Sequence, residues 1–270
     1  MLFPLRRAWM KRTLPLLRAV AIGLFFSWPG SAAAQDATLV LGADPWCPMV
    51  CADAPESPGF MVEAAQQALA RHGYRVEYRN MPWSRALVSV EQGKIDGLLG
   101  ANHYREAIVI LPEHSYFWSQ MGYAQHMRQP QVKDLSDASL TGLHFQLIQD
   151  YDYAGTTPLG PWLSTHSQQV SYNKGTDLLP RMLNLIMRGR GDITLDNLAV
   201  LQYTLKSLNL QDSFYTAPVS EPNKVYIGIS RRHPKAQQIA ELLDREMLTM
   251  RENGQLQALL LKYGVTTSLH

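Results

Sequence analysis

Residues 93–101 read Gly-Lys-Ile-Asp-Gly-Leu-Leu-Gly-Ala, a pattern typical of a buried strand with a tight glycine turn before it and small residues after it. The strand leads into the polar residues Asn102 and Arg105. Residues 191–197 read Gly-Asp-Ile-Thr-Leu-Asp-Asn and repeat the pattern. Open α/β sheets bind ligands at the carboxyl ends of their strands. The repeat therefore predicts two similar α/β lobes that present these strand ends to one ligand cleft.

The apolar periodicity around the two copies predicts alternating strands and helices. In the first lobe we expect strands at 38–43, 74–79 and 95–101, with helices at about 61–72 and 83–92 between them. In the second lobe we expect strands at 143–148, 170–172 and 192–195, with helices at 178–187 and 198–208. A returning strand at 223–230 and two final helices, 234–253 and 256–263, complete the pattern.

The returning strand suggests how the lobes are connected. If it rejoins the first lobe, two strands cross between the lobes and form a paired hinge. The predicted domains are then 35–124 with 224–270 for the first lobe, and 125–223 for the second.

The N-terminus has the features of a secretory signal peptide. Five basic residues lie between positions 6 and 18, an apolar run covers 19–28, and Ala32-x-Ala34 is a suitable cleavage site. The run has about ten residues, whereas a membrane span needs about twenty. We therefore expect cleavage near Ala34 and a periplasmic, secreted product; the start codon is either Met1 or Met10.

The charge of the chain changes sign when residues 1–34 are removed. The whole chain has 25 Lys and Arg and 23 Asp and Glu, and residues 1–34 contain five of the basic residues and no acidic one. The remaining 20 basic and 23 acidic residues give a net charge of −3. A basic surface for nucleic acid or anionic lipid is therefore not expected.

The only two cysteines are Cys47 and Cys51. In an oxidising compartment, a local pair of this kind favours a disulfide over a metal site, which needs two further ligands. Two free thiols on one helical turn are the alternative, although Pro45 and Pro48 favour a loop. The small ring predicts a loop-shaping role rather than a large contribution to stability.

Several short motifs together resemble one family, the bacterial extracellular solute-binding proteins of the polar amino-acid type, also called family 3. The matching motifs are Gly59-Phe60-Met61-Val62-Glu63, Pro82-Trp83-Ser84-Arg85, Gly93-Lys94-Ile95-Asp96-Gly97, Gly189-Arg190-Gly191-Asp192, Asn253-Gly254-Gln255-Leu256 and Lys262-Tyr263-Gly264. The resemblance implies the two-lobed, type II periplasmic-binding-protein fold, with a ligand cleft between the lobes. It also implies a monomer that captures a small solute for an inner-membrane ABC permease, without a cofactor.

The resemblance assigns roles to two charged residues. Arg105 matches the arginine that holds a ligand carboxylate, and Asp196 matches the aspartate that holds its ammonium group. The chain departs from the family where residues 102–106 lack the usual threonine, and where 149–152 replace a Gly-Ser-Thr turn. Asp196 also lies one position early, so that Asn197 is the alternative, and Arg105 can instead pair with Glu106 or Glu113 at the surface.

Aromatic and acidic residues are concentrated in the loops expected to face the cleft. Aromatic faces beside carboxylates suit a cationic or amine-bearing ligand, although ordinary packing at strand ends is the alternative for each aromatic residue. The predicted ligand-binding residues are Asp44, Trp46, Trp83, Asn102, Tyr104, Arg105, Asp150, Tyr151, Asp196 and Asn197. Tyr153 and Asp152 belong to the same loops.

Three functions fit this sequence. The first is a binding protein without enzymatic chemistry, because we find no Ser-His-Asp set, metal motif or phosphate-binding loop in the sequence. The second is a periplasmic enzyme on the same fold, similar to cyclohexadienyl dehydratase, which needs only a general acid in a closed cleft. The third is a soluble sensor protein that presents its ligand to a receptor. We predict the first.

Overall fold

The computed structural model describes residues 37–52 and 54–265. The predicted signal peptide and its cleavage site lie outside these residues. Among the helices described, none is long and apolar enough to cross a membrane.

The described residues form two β-sheets. The strands are β1 (Ala37–Ala43), β2 (Tyr74–Asn80), β3 (Gly97–Ala101), β4 (Val109–Ile110), β5 (Phe117–Ser119), β6 (Met121–His126), β7 (Phe145–Ile148), β8 (Val170–Asn173), β9 (Ile193–Asn197), β10 (Phe214–Pro218) and β11 (Asn223–Ser230). The first sheet has the order β2-β1-β3-β11-β4, with β5 paired to β11, and the second has the order β10-β6-β9-β7-β8.

The parallel strands confirm the predicted α/β class. In the first sheet, β1 is parallel to β2 and to β3, and the returning strand β11 is antiparallel to β3. In the second sheet, β7 is parallel to β8 and to β9. The repeated pattern therefore supplies the central strands β3 and β9 of the two sheets, and the carboxyl ends of both lead into polar residues.

The helices cover the two sheets separately. They are α1 (Phe60–Ala70), α2 (Trp83–Glu91), α3 (Asp137–Leu140), α4 (Tyr153–Thr156), α5 (Gly160–Thr165), α6 (Leu178–Met187), α7 (Leu198–Ser207), α8 (Ala236–Glu252) and α9 (Gln255–Lys262). Helices α1, α2 and α8 pack on the first sheet, with α9 against α1 and α8, whereas α6 and α7 pack on the second. We use "first lobe" and "second lobe" for each sheet with its helices.

The apolar stripe of α6 shows why these helices bury one face. Leu179, Met182, Leu183 and Ile186 recur at a helical spacing and are buried. The predicted Met and Leu stripe is thus part of the hydrophobic core.

The two copies of the glycine-containing pattern have the same local geometry. Gly93 and Gly189 precede the strands with φ values of 70° and 75°, which glycine adopts without strain. The carboxylate of Asp96 accepts a hydrogen bond from the Val40 amide at 2.7 Å, and that of Asp192 accepts one from the His144 amide at 2.9 Å. At Asp96 the side chain, rather than a backbone carbonyl, accepts the hydrogen bond from the neighbouring strand β1. The regular strand β3 therefore begins at Gly97 and not at the predicted residue 95.

Two segments carry the chain between the sheets. The first lies between β5 and β6 and the second between β10 and β11. They are hydrogen-bonded to each other, since the Gln120 side chain donates to the Ser220 carbonyl at 3.0 Å and the Val219 amide donates to the Met121 carbonyl at 2.9 Å. The chain passes from one sheet to the other at 119–121 and returns at 218–223. The lobe boundaries at 124/125 and 223/224 stay a prediction.

Cys47 and Cys51 form a disulfide, which confirms the predicted pairing. The loop between them is closed by hydrogen bonds between the backbones of Trp46 and Val50 at 2.7 and 3.1 Å. This loop follows β1 directly, and it holds Trp46 at the carboxyl edge of the first sheet.

Candidate ligand-binding cleft

A cavity of about 100 Å³ lies between the carboxyl edges of the two sheets. It is lined by Ala43, Asp44, Trp46, Trp83, Leu99, Gly100, Asn102, Arg105, Ser119, Met121, Tyr151, Asp152, Tyr153, Thr156, Asp196, Asn223, Lys224 and Val225. The lining comes from both lobes and from both crossing segments. Seven of the ten predicted residues are brought together here.

Asp44 is the first-lobe carboxylate of this cleft. It follows β1, is only 6% exposed, and accepts a hydrogen bond from the Tyr151 hydroxyl of the second lobe at 2.9 Å. Burial raises the pKa of Asp44 to about 7, and the negative charge of Asp196 adds to this rise, while the Tyr151 hydrogen bond opposes it. Asp44 can therefore hold a proton near neutral pH.

Asp196 is the second-lobe counterpart, at the end of β9. It is 1% exposed, and its Oδ1 accepts hydrogen bonds from the Trp46 indole N–H and from the Asn197 amide, both at 2.7 Å. Its Oδ2 is buried and has no hydrogen-bond partner among residues 37–52 and 54–265. Burial raises the pKa of Asp196 to about 6, and the two hydrogen bonds limit the rise.

A third carboxylate, Asp152, lies beside this pair. Its Oδ1 accepts the Gly155 amide at 3.3 Å and so caps α4. Its Oδ2 is buried and, within the described part of the chain, also lacks a partner. Two residues of one cavity lining thus each have a buried carboxylate oxygen that lacks a donor in the described part of the chain.

Aromatic rings form the walls around these carboxylates. Trp83 meets Tyr151 edge to face with ring centroids 6.4 Å apart, and Tyr151 lies 6.0 Å from Tyr153. Burial raises the pKa of both tyrosines well above the ordinary value, and the neighbouring Asp44 and Asp196 raise it further. The hydroxyls consequently stay protonated, and Tyr151 acts as a donor to Asp44.

The mouth of the cleft is bridged by two contacts between the lobes. The Tyr104 hydroxyl donates to the Gly155 carbonyl at 2.9 Å, and the Arg105 guanidinium donates to the Asp150 carbonyl at 2.9 Å. Both donors belong to a short 3-10 turn at His103–Arg105 that follows β3. Arg105 makes this bridge rather than the alternative surface ion pair with Glu106 or Glu113.

Three predicted residues lie outside the cavity lining. Tyr104 is 61% exposed at the mouth, and the Asp150 side chain is exposed and accepts from Gln149. Asn197 caps α7 by accepting the Val200 amide, and it donates to the Ser119 hydroxyl. Asp196, and not Asn197, therefore lines the cavity.

Several lining residues on or next to the crossing segments are absent from the predicted set. Ser119, Met121 and Asn223 reach the cavity because both connections pass beneath it, and Val225 follows on β11. The predicted returning strand could have indicated these lining residues, since residues next to a hinge lie between the lobes.

Comparisons with known proteins agree with this architecture. The model of the bacterial extracellular solute-binding proteins, family 3, matches residues 39–266. The chain belongs to this family of solute-binding proteins. Among curated proteins, none matches the sequence.

Solved structures with the same fold have low sequence identity to this chain. An ancestral arginine-binding protein bound to arginine has a TM-score of 0.71 and 16% identity, covering 85% of this chain and 99% of its own. A protein from glutathione import via GshT and the cystine ABC importer TcyBC of Streptococcus mutans has a TM-score of 0.71 and 16% identity, covering 84% and 95%. A histidine kinase sensor domain with similarity to periplasmic binding proteins has a TM-score of 0.68 and 18% identity, covering 85% and 96%. At these identities the likeness shows the two-lobed fold alone.

Proposed function

We propose that this chain is a periplasmic binding protein that captures a small polar solute, an amino acid or a related amine, for an inner-membrane ABC importer. In this proposal residues 1–34 direct export and are removed near Ala34, and the mature protein acts as a monomer without a cofactor. Family membership supports the solute-binding role, and the geometry of the cleft supports the class of solute.

The observation that carries the proposal is the pair of buried carboxylates, Asp44 and Asp196. Their hydrogen-bond donors are the neutral groups of Tyr151, Trp46 and the Asn197 backbone. A buried carboxylate is stable when it is paired with a cation or protonated. The ammonium group of a solute is the missing partner, and the aromatic walls favour the same charge.

The related structures support the chemical class and the transport role. One is described with bound arginine and a similar one with bound glutamine, and a third is described with a cystine ABC importer. Each pairs this fold with an amino acid or a small peptide. We extend that class to this chain because its cleft offers carboxylates for an amine.

The experiment is a thermal-shift screen on residues 35–270, unfolded and refolded to remove carried ligand. Amino acids, amines, small peptides and organic acids are tested, and a ligand of the native state raises the melting temperature by mass action. Asp196→Asn should strongly reduce the shift, because binding weakens by about tenfold or more. Asp212→Asn, at an exposed position with no role in the cleft, is the matched control. If no amine or amino acid raises the melting temperature, the proposal is wrong.

The transport partner requires a separate test. The loaded protein should stimulate ATP hydrolysis by its ABC importer in proteoliposomes, and the Asp196→Asn variant should not. Stimulation of a receptor kinase without stimulation of any importer would instead favour a sensor role, which the fold also serves in a histidine kinase sensor domain.

A second candidate function is an acid-catalysed enzyme on the same fold. The observation in its favour is Asp44, since a carboxyl group with a pKa of about 7 in a closed cleft suits a general acid at neutral pH. The acidic lining opposes a dicarboxylate substrate such as prephenate, so binding is the better proposal. Incubation with prephenate, followed by ultraviolet absorbance, tests this; product formed by the wild type and not by Asp44→Asn would establish the enzyme.

A further inference from the structure

Two aspartates of the cavity lining each have a carboxylate oxygen that lacks a donor in the part of the chain that the structure describes. Oδ2 of Asp152 and Oδ2 of Asp196 are both buried, and neither has a partner among the described residues. A buried acceptor without a donor destabilises a protein by about 1–3 kcal/mol, and more when it is charged. A solute that supplies N–H groups at these two positions removes that penalty.

Three of the donors that line the cavity are, by contrast, engaged by the protein itself. The Trp46 indole donates to Asp196, the Tyr151 hydroxyl donates to Asp44, and the Thr156 hydroxyl donates to the Asp152 carbonyl. A ligand carboxylate needs several such donors, because its two oxygens must be satisfied once they leave water.

Arg105 also donates to a group of the protein itself. Its guanidinium bonds to the Asp150 carbonyl, and this contact closes the mouth of the cleft. The other lining cation, Lys224, is exposed and lies 5.5 Å from the centre of the Trp118 ring. Neither cation lies buried beside the acidic residues.

The electrostatic field of the cleft also favours an ammonium group over a carboxylate. Asp44 and Asp196 are the deeply buried charged groups of the lining, and both are acidic. A ligand carboxylate beside them would meet like charge in a poorly solvated site, where repulsion is stronger than in water. A ligand ammonium meets attraction from both.

We propose that the ligand is a small organic amine that carries no carboxylate group. This inference rests on the proposed function and narrows its solute class from amino acids and amines to amines alone. The amine N–H groups bond to Asp152 and Asp196, Asp44 contributes further negative charge, and the Trp83, Tyr151 and Tyr153 rings hold the apolar part.

The test compares molecules that differ only in the carboxylate. The pairs are cadaverine with lysine, agmatine with arginine, histamine with histidine, and tyramine with tyrosine, measured by calorimetry on the refolded protein. In at least one pair we expect the amine to bind tenfold or more tightly, which is about 1.4 kcal/mol. Methyl esters of the amino acids lack the negative charge, so they should bind more tightly than the amino acids and less tightly than the amines.

Variants distinguish this arrangement from a carboxylate clamp. Asp152→Asn and Asp196→Asn should each weaken amine binding by about tenfold or more, as expected when a charged hydrogen bond is lost, whereas the control Asp212→Asn should not. Arg105→Ala should weaken both members of a pair by the same factor, since it removes a contact between the lobes. A clamp would weaken the amino acid alone.

Failure of the amine inference can be distinguished from failure of the proposed function. If an amino acid binds as tightly as its amine or more tightly, and Arg105→Ala removes that preference, the inference is wrong and the proposed function stands. If neither member of any pair binds, and the wider thermal-shift panel is also negative, both are wrong.

Discussion

The two buried aspartates are related by a crossed pair of hydrogen bonds. Asp44 of the first lobe is bonded by Tyr151 of the second, and Asp196 of the second lobe is bonded by Trp46 of the first. Each carboxylate is thus stabilised across the cleft by a neutral donor. This arrangement keeps the acidic groups buried, with no cationic partner among residues 37–52 and 54–265.

We expect the ligand-free protein to lose stability as the pH rises from about 4 to 7. The folded-state pKa of Asp44 is about 7 against an ordinary 3.8, so the folded state binds more protons than the unfolded state in this window. The stabilisation that protonated Asp44 contributes is complete below pH 3.8 and is lost once the pH exceeds about 7. Urea unfolding at pH 5 and pH 8 measures the loss.

Asp44→Asn should reduce this pH dependence, and Asp196→Asn should reduce it to a smaller extent, because its pKa is raised only to about 6. Asp212→Asn should retain the wild-type dependence. An unchanged slope in Asp44→Asn would show that the carboxyl group is not buried in its neutral form.

At the scale of elements, the loop after β1 is shaped by its disulfide. Cys47 directly follows Trp46, which donates to Asp196, and the bond to Cys51 closes the loop. The ring is small, so its effect on the entropy of the unfolded chain is modest. Its main effect is to hold the Trp46 indole in place.

We expect the Cys47→Ala/Cys51→Ala variant to lose roughly 2 kcal/mol of stability, the amount estimated for such a short ring. It should also bind its ligand more weakly, since Trp46 would no longer be held against Asp196. Chemical unfolding and calorimetry measure the two effects. Wild type treated with a reductant should behave like the variant; unchanged affinity in both would show that the loop is ordered without the disulfide.

The second element that controls the cleft is the contact between the 3-10 turn and α4. A Cβ atom built on Gly155 would overlap the Tyr104 ring, so this close approach requires glycine. The same glycine supplies the carbonyl that accepts from Tyr104.

We expect Gly155→Ala to weaken ligand binding by about fivefold to tenfold, because it displaces Tyr104 and removes one hydrogen bond of about 1 kcal/mol. Calorimetry on Gly155→Ala, Tyr104→Ala and the double variant measures the coupling. Once Tyr104 is absent, the alanine should have no further effect. Equal losses with and without Tyr104 would mean that α4 itself, rather than the contact, is disturbed.

For the whole molecule, the paired crossing segments at 119–121 and 218–223 make opening and closing of the lobes the expected motion. The contacts that oppose opening are those that cross the cleft, including the bonds of Trp46, Tyr151 and Tyr104. Ligand binding adds contacts on both sides and favours the closed form.

We expect the ligand-free Trp46→Phe/Tyr151→Phe variant to have a larger radius of gyration than wild type, because both crossed hydrogen bonds are removed. Small-angle X-ray scattering measures this change, and saturating ligand should reduce the difference. The control is Trp162→Phe/Tyr203→Phe, whose residues lie on α5 and α7, outside the cavity lining and away from the crossing segments. Equal values for all three proteins would show that these bonds do not influence closure.

The sequence by itself determined the class of fold and the longer helices and parallel strands, but not the short helices α3, α4 and α5 or the strand β10. The strand predicted at 223–230 and the helix at 178–187 match the structure, because apolar periodicity and glycine turns act within a few residues of the chain. The two copies of the glycine-containing pattern also indicated the strand ends from which Arg105 and Asp196 project into the cleft.

Only the tertiary structure decided how those side chains are used. Whether Asp196 or Asn197 lines the cavity depends on the position of β9 between β6 and β7, and the partner of Arg105 lies in the other lobe. Ser119 and Asn223 line the cavity because two segments distant in sequence cross beneath it. The cited contacts across the cleft join residues 45 to 150 positions apart, and no local pattern encodes which of them will meet.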